Sequence, residues 1–188
     1  MKKISIFLYF ILFLISNTSG QNKTEKLLLG GSGWNKIVII DKESKQIEWE
    51  HPLQEGWECN SVAATPDGNI LFSYGKGAKT INRNHQEIWN ITVPDGCEMQ
   101  TARVLSDGNY LLAWTGHPAV IMEVSPKGKI LSRTEYETGI DHPHSQFRQL
   151  NKNPRGNYLI PLISILFSFF KLSQRISASN ADASVIVP

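Results

Sequence analysis

The sequence predicts an all-β protein, a partial β-propeller of about three four-stranded antiparallel blades. Three observations support this fold class. Short segments rich in Ile, Val, Leu, Trp and Tyr alternate with turns that contain Gly. The pattern recurs with a period of about forty residues, which is typical of propeller blades. No segment after residue 20 keeps a helical period of about 3.6 for long.

A turn glycine marks the hairpin between the first two strands of each repeat. The stretch "PDGNILFSY" is echoed by "SDGNYLLAW" and then by "PRGNYLIPL", with glycines at Gly68, Gly108 and Gly156. Glycine tolerates the positive φ of tight turns, so these positions predict chain reversals. The apolar segments that follow are expected to form buried second strands.

Two further strands complete each repeat. Ile and Val recur in the third strands "KIVIIDK" and "AVIMEVSP", and a Trp marks the fourth strand of the first two repeats, which aligns Trp49 with Trp89. A blade cannot bury both of its faces alone, so each sheet is expected to pack between neighbours. The four strands of one repeat are "NSVAATP", "NILFSYG", "AKTINRN" and "EIWNITVP".

Residues 1–20 are predicted to be a secretory signal peptide. Lys2 and Lys3 precede an apolar run from Ile4 to Ile15, and small polar residues follow it. The run has about a dozen residues, whereas a membrane-spanning helix needs roughly 20. An uncleaved anchor is the alternative. The prediction places the protein outside the cytoplasm, secreted or in the periplasm or cell envelope, with no stable membrane span after cleavage.

Residues 21–162 are predicted to form the blades of an incomplete ring, and residues 163–188 a tail outside the repeat. The tail has neither an Asp-Gly hairpin nor a Trp. One interpretation is a divergent, disordered tail over a blade edge. The other, which is favoured because the period stops within a strand, is a truncated gene or lost reading frame near Leu162. A membrane anchor in "LIPLISILFSFF" is disfavoured, because about a dozen residues do not span a bilayer.

The composition argues against two kinds of site. A formal net charge of +2 provides no basic surface for nucleic acid. The chain has no CxxC or HExxH motif, so no metal site is expected. Cys59 and Cys97 form either a disulfide, as exported proteins allow, or two buried free thiols.

Several motifs resemble those of a known superfamily. The Asp-Gly-Asn-x-Leu hairpin, the Ile-x-Trp outer strand and the opening "GSGWNKIVIIDKE" are similar to those of quinoprotein-like, or pyrroloquinoline-quinone-type, β-propellers. More closely, they resemble secreted propellers of unknown function from Bacteroidetes-type bacteria, over roughly Lys26 to Leu162. The chain lacks the Ala-x-Asp-x-x-Thr-Gly-x-x-x-Trp repeat of the quinone-binding enzymes, so no cofactor is expected.

The first strand of each blade lines the channel of a propeller, so ligand-binding residues are expected there. Its neutral amides and hydroxyls suit a sugar or another polyhydroxylated ligand, and two arginines are candidate anion binders. The alternative is that these groups only bind channel water and each other. The candidate ligand-binding residues are Trp57, Glu58, Asn60, Ser61, Glu98, Gln100, Thr101, Arg103, Ser145, Gln146 and Arg148.

Two histidines are candidate catalytic residues. His142 and His144 lie at i and i+2, which places both side chains on one face of a strand. The stretch "DHPHSQFRQL" is similar to the His-rich segment before the hairpin of bacterial arylsulfotransferases, whose nucleophile is a His. That resemblance implies sulfuryl transfer by one of the two. The alternative is an ordinary His pair at a solvated channel rim.

The favoured hypothesis is an extracytoplasmic binding or scaffold module and not an enzyme. Its partner at the channel mouth would be a carbohydrate or another envelope protein. The second hypothesis is a propeller enzyme of arylsulfotransferase-like or divergent quinoprotein type. The third is a truncated product without a function. The fold does not choose among them, because propellers host many activities.

Overall fold

A computed structural model describes residues 25–137, 150–161 and 184–187. These residues form fourteen β-strands and no helix, so no helix in them is long and apolar enough to cross a membrane. The strands are β1 (Lys26–Leu29), β2 (Lys36–Asp41), β3 (Ile47–Pro52), β4 (Ser61–Ala64), β5 (Ile70–Ser73), β6 (Gly77–Ile81), β7 (Glu87–Thr92), β8 (Glu98–Val104), β9 (Tyr110–Thr115), β10 (Ala119–Val124), β11 (Ile130–Tyr136), β12 (Asn151–Lys152), β13 (Tyr158–Pro161) and β14 (Ser184–Val187).

The strands form four antiparallel sheets in which neighbours along the chain lie side by side. Strands β4 to β7 and β8 to β11 form four-stranded sheets, whereas β1 to β3 and β12 to β14 form three-stranded ones. Successive meandering sheets of this kind are propeller blades. The predicted all-β partial propeller is therefore confirmed.

The predicted turn glycines close the hairpins. Gly68 has a φ of 81° and donates its amide to the Thr65 carbonyl at 2.9 Å. Gly108 repeats this arrangement with a φ of 83° and the Leu105 carbonyl as acceptor. A side chain is disfavoured at such φ values, so the Asp-Gly dipeptides fix where the first strand ends and the second begins.

Apolar side chains are buried between neighbouring sheets. In β5, Ile70 and Phe72 pack against the first sheet, while Leu71 packs against the third. All six residues of β9 are buried, and Leu111 and Ala113 pack towards the fourth sheet. This alternation follows from the two-residue period of a strand. The middle sheets therefore bury both of their faces, as the repeat predicted.

The first strand of each four-stranded sheet lies on the inner side of the assembly. Strands β4 and β8 contact each other, whereas the last strands, β7 and β11, are mostly exposed. Strand β1 pairs with β2 in the same way as β5 pairs with β6 and β9 with β10. It is therefore equivalent to the second strands, β5 and β9, and not to the first strands, β4 and β8. The innermost position of the first sheet is therefore open among the described residues.

The fourth sheet takes a strand from the predicted tail. Ser184–Val187 forms β14 and pairs antiparallel with β13, with Ile186 opposite Leu159. The first part of the sheet is the β12–β13 hairpin, which follows the same pattern as the earlier repeats. The disorder or lost reading frame proposed for residues 163–188 stays a prediction.

Candidate ligand cavity

A cavity of about 840 Å³ lies between the first strands of three successive sheets. Ala63 of β4, Arg103 of β8 and Asn151 of β12 line it. Each of these residues lies opposite a leucine of the second strand in its sheet, so the three occupy equivalent positions of the repeat. The fold thus brings one equivalent residue from each inner strand to a common space, and concave spaces with a few convergent polar groups are the usual ligand sites of proteins.

The guanidinium of Arg103 is the functional group that distinguishes this cavity. Its Nε atom is buried and has no hydrogen-bond partner among the described residues. Within the described residues, no ion pair joins the guanidinium of Arg103 to a carboxylate. A buried donor left unpaired costs about 1–3 kcal/mol, so the fold gives up stability to keep this arginine in the cavity wall.

Asn60 and Ser61 line the cavity but bind the neighbouring sheet. The Asn60 amide donates to the Met99 carbonyl at 2.8 Å and to Glu98 Oε1 at 3.3 Å. The Ser61 hydroxyl accepts the Ala102 amide at 2.6 Å. These bonds join β4 to β8, so they hold the cavity wall rigid.

Asp107 lies in the turn after β8 and also lines the cavity. Its carboxylate accepts the backbone amide of Asn109 at 3.0 Å and the Asn109 side-chain amide at 2.9 Å. These hydrogen bonds to the charged form lower the pKa of Asp107 from its usual value. The carboxylate therefore stays ionised and is committed to its own hairpin.

Glu123, Lys152 and Tyr158 form a polar cluster between the third and fourth sheets. Lys152 Nζ lies 2.6 Å and the Tyr158 hydroxyl 2.5 Å from Glu123 Oε1, and Glu123 is only 7% exposed. Burial, together with the adjacent Glu123 carboxylate, raises the pKa of Tyr158 to about 12. Lys152 lines the cavity, but its charge is offset by Glu123.

Sequence reasoning missed this cluster, although two signals were present. Glu123 is the one charged residue in the strand "AVIMEV", which suggests a buried partner. Lys152 occupies the position that Ala64 and Val104 take in the earlier repeats. A charge at an apolar repeat position was a sign that this sheet interface differs from the others.

Trp57 and Glu58 lie away from the cavity. The Trp57 ring stacks on Tyr74 with centroids 3.9 Å apart, and Lys79 Nζ lies 4.9 Å from the Trp57 centroid. Glu58 accepts a hydrogen bond from the Ser32 hydroxyl at 2.6 Å. Both residues therefore contact groups of the first two sheets, and their ligand-binding role stays a prediction.

Glu98, Gln100 and Thr101 of β8 do not line the cavity either. Gln100 is 1% exposed, and its Nε2 has no hydrogen-bond partner in the described residues. Thr101 is fully buried. Of the described candidates, Asn60, Ser61 and Arg103 are thus the three that the fold brings to the cavity.

Five further candidates lie outside the described residues, so their predicted roles stay predictions. Within the part of the chain that is described, no group of three or more His, Cys, Asp or Glu could hold a metal. The residues concerned are His142, His144, Ser145, Gln146 and Arg148.

Cys59 and Cys97 are both free and buried, which decides between the two alternatives for these thiols. Burial raises the pKa of Cys59 to about 12, so this thiol stays protonated at neutral pH. A Cβ at Gly30 would lie 2.7 Å from Cys59 Sγ, so the glycine makes room for the thiol.

The sheets and the shared cavity define an all-β protein of propeller type. A family model described as Mal s 1 allergenic protein-like matches residues 21–174, so the chain belongs to that family. The resemblance to quinoprotein-like propellers was therefore wrong. The Asp-Gly hairpin and the outer-strand Trp that suggested it serve turn formation and sheet packing, which unrelated propellers need equally.

Two solved structures are similar to this chain. A protein of unknown function from Bacteroides caccae is 66% identical, with a TM-score of 0.72, and the match covers 74% of this chain and 51% of that one. This chain thus spans about half the length of that relative. Virginiamycin B lyase from Staphylococcus aureus matches at 17% identity and a TM-score of 0.48, covering 75% of this chain and 50% of that one. No curated protein matches the chain.

Proposed function

We propose that the protein is an extracytoplasmic binding module that holds a polar ligand in the cavity between β4, β8 and β12. The observation that carries this proposal is the guanidinium of Arg103, which has no anionic partner among the described residues, in the wall of a cavity of about 840 Å³. A space of this size holds a small ligand, and a few convergent polar groups are enough to orient it.

The rigidity of the wall supports a binding role. Asn60 and Ser61 tie β4 to β8, and Lys152 and Tyr158 tie the fourth sheet to Glu123 of the third. A wall held by such bonds loses little conformational entropy when a ligand binds. The same bonds commit most polar groups of the lining to the protein itself, so few remain for the ligand.

The location outside the cytoplasm is part of the proposal. It depends on Lys2, Lys3 and the apolar run that follows them, which have the pattern of a signal peptide. Expression of the natural gene and fractionation of the cells tests it, with the mature N-terminus read by mass spectrometry. Recovery of the protein in the cytoplasm with residues 1–20 attached would contradict it.

Binding is tested by isothermal titration calorimetry with a panel of neutral and acidic saccharides. The variant Ser106→Trp fills the cavity from its exposed turn, and Lys127→Trp adds the same ring to the exposed β10–β11 turn as a control. We expect Ser106→Trp to abolish binding of any saccharide that the parent protein binds, and Lys127→Trp to preserve it. Equal binding by both variants would place the site elsewhere.

A further inference from the structure

We infer that the cavity selects ligands that carry a carboxylate, and that Arg103 receives this group. The inference rests on the proposed function, because it names the ligand class of the same site. It starts from Arg103, whose buried Nε has no acceptor among the described residues although the side chain faces a space large enough for a ligand.

Among the described residues around the cavity, Arg103 is the cation whose charge no carboxylate compensates. Lys152 is paired with Glu123 at 2.6 Å, so its charge is largely offset. Asp107 is committed to the amides of Asn109 and forms no ion pair with Arg103. A ligand that enters therefore meets one cation whose charge is balanced by no carboxylate of the described residues.

The neutral groups of the wall favour the same conclusion. The Ser61 hydroxyl bonds Ser73, the Ala102 carbonyl and the Ala102 amide, so its hydrogen-bonding capacity is used within the protein. Asn153 Oδ1 accepts the amides of Arg155 and Asn157 in its own turn. Recognition of hydroxyl groups alone would need such atoms to be open, whereas recognition of an anion needs only the guanidinium.

The chemistry of arginine specifies the anion further. Its guanidinium is planar, always charged and presents a fork of N–H donors that matches the two oxygens of a carboxylate. Such bidentate, charge-assisted pairs are shorter and stronger than neutral hydrogen bonds. A ligand carboxylate would accept from the two terminal nitrogens of the guanidinium, because Nε is enclosed by protein atoms.

The test compares acids with their neutral esters. D-Galacturonate and D-glucuronate are titrated against the full chain by calorimetry, beside their methyl esters, which lack the negative charge and carry a methyl group on one of the two oxygens. We expect at least one acid to bind about tenfold or more tightly than its ester, a ratio typical of one lost charged contact.

Two variants test whether Arg103 causes the difference in affinity between the acid and its methyl ester. In Arg103→Gln the acid and its ester should bind equally, and in Arg103→Lys a smaller preference for the acid should remain, because charge is kept but the fork is lost. Lys127→Gln removes an exposed cation from the β10–β11 turn and should leave the ratio unchanged. Circular dichroism and melting of each variant show whether it is folded.

The outcomes separate this inference from the proposed function. If neutral saccharides bind as tightly as the acids and Ser106→Trp blocks both, the binding module stands and carboxylate selection is wrong. If sodium sulfate or phosphate displaces the acid with equal affinity, the site is one for anions in general and the inference is again wrong. If no saccharide of either kind binds the parent chain, both proposals fail.

Discussion

The Nδ1 atoms of His51 and His85 lie 3.1 Å apart and join the first two sheets. His51 belongs to β3, and His85 lies in the turn between β6 and β7 with a φ of 65°. The ring centroids are 5.3 Å apart and the ring planes differ by 16°. Each ring nitrogen lies one ring radius from the centre of its own ring. The centroid separation exceeds the separation of the nitrogens by about two ring radii, so both nitrogens lie close to the line that joins the ring centres. This is the geometry of an N–H···N hydrogen bond, in which the tautomers of the two rings set which one donates.

Protonation of both histidines would break this bond, so we predict that stability falls in mild acid. The pKa of His51 is lowered by burial, then by His85 and by Lys79. Because the unfolded state takes up the proton more readily, the contribution of His51 is complete above about pH 6.5 and declines as the pH falls below it. Urea unfolding at about pH 7.5 and about pH 5.5 should differ by about 1 kcal/mol from this site, since solvent screens part of the charge.

The neighbours of the pair define the control. Trp49 stacks on both rings, Arg83 lies over Trp49, and Lys79 is paired with Glu87 at 2.8 Å. The variant His51→Gln keeps all of these groups and removes the titrating ring. Its loss of stability between the two pH values should be smaller than that of the parent, and an unchanged loss would show that other groups cause it.

A double-mutant cycle should show that the Glu123–Lys152 pair as a whole adds little to the free energy of unfolding, whereas removal of Lys152 alone lowers it substantially. Lys152→Met leaves the Glu123 carboxylate, 7% exposed, without its cation. We expect a loss of about 2 kcal/mol, less than for a fully buried pair because Lys152 is partly exposed. Adding Glu123→Leu should restore much of this loss. Urea unfolding measures the cycle, and equal losses from the single and the double variant would contradict it.

Replacement of Trp57 should affect stability and not ligand binding. The ring stacks on Tyr74 at 3.9 Å and has Lys79 above it, while the cavity is lined by other residues. Loss of a partly buried aromatic ring and a cation–π contact in Trp57→Leu should cost about 1–2 kcal/mol. Calorimetric affinity for a saccharide that binds the parent should change by less than about twofold. A large loss of affinity would return Trp57 to the ligand site.

Gly77 is predicted to tolerate no side chain, for a reason of space. A Cβ there would overlap the Ile91 carbonyl and lie 2.7 Å from the Tyr74 hydroxyl. Because β6 and β7 are paired at this point, the backbone cannot move without breaking the ladder. Gly77→Ala should therefore cost about 2–3 kcal/mol, within the range of overpacking substitutions. Gly31→Ala is the matched control, since nothing lies within 4 Å of its added Cβ.

The two thiols should be inaccessible in the folded protein. Cys59 is 2% exposed with a pKa of about 12, and Cys97 is 9% exposed. Reaction with an aromatic disulfide reagent needs the thiolate, so native protein should react slowly. In urea both thiols should react at once. If no thiol is detected in urea without a reductant, Cys59 and Cys97 form a disulfide, which would contradict the free thiols of the structure.

The blades could be predicted from sequence because their signals are local. The turn at Gly68 needs a positive φ at one residue, and the strands around it need only alternate buried and exposed positions. The repeat also placed Arg103 correctly among residues of an inner strand. It could not separate Arg103 from Gln100, because which face of β8 meets the cavity depends on the irregular pairing between Met99 and Thr101.

By itself the sequence determined an all-β chain with a repeat of about forty residues, its hairpin positions and the alternation that buries both faces of a blade. Only the tertiary structure decided which polar groups meet. Glu123 and Lys152 are 29 residues apart, and His51 and His85 are 34 apart. Their contacts depend on how two sheets are rotated and offset against each other, and this follows from the packing of many side chains at once. The same packing leaves Arg103 without a described partner in the cavity, which no local pattern records.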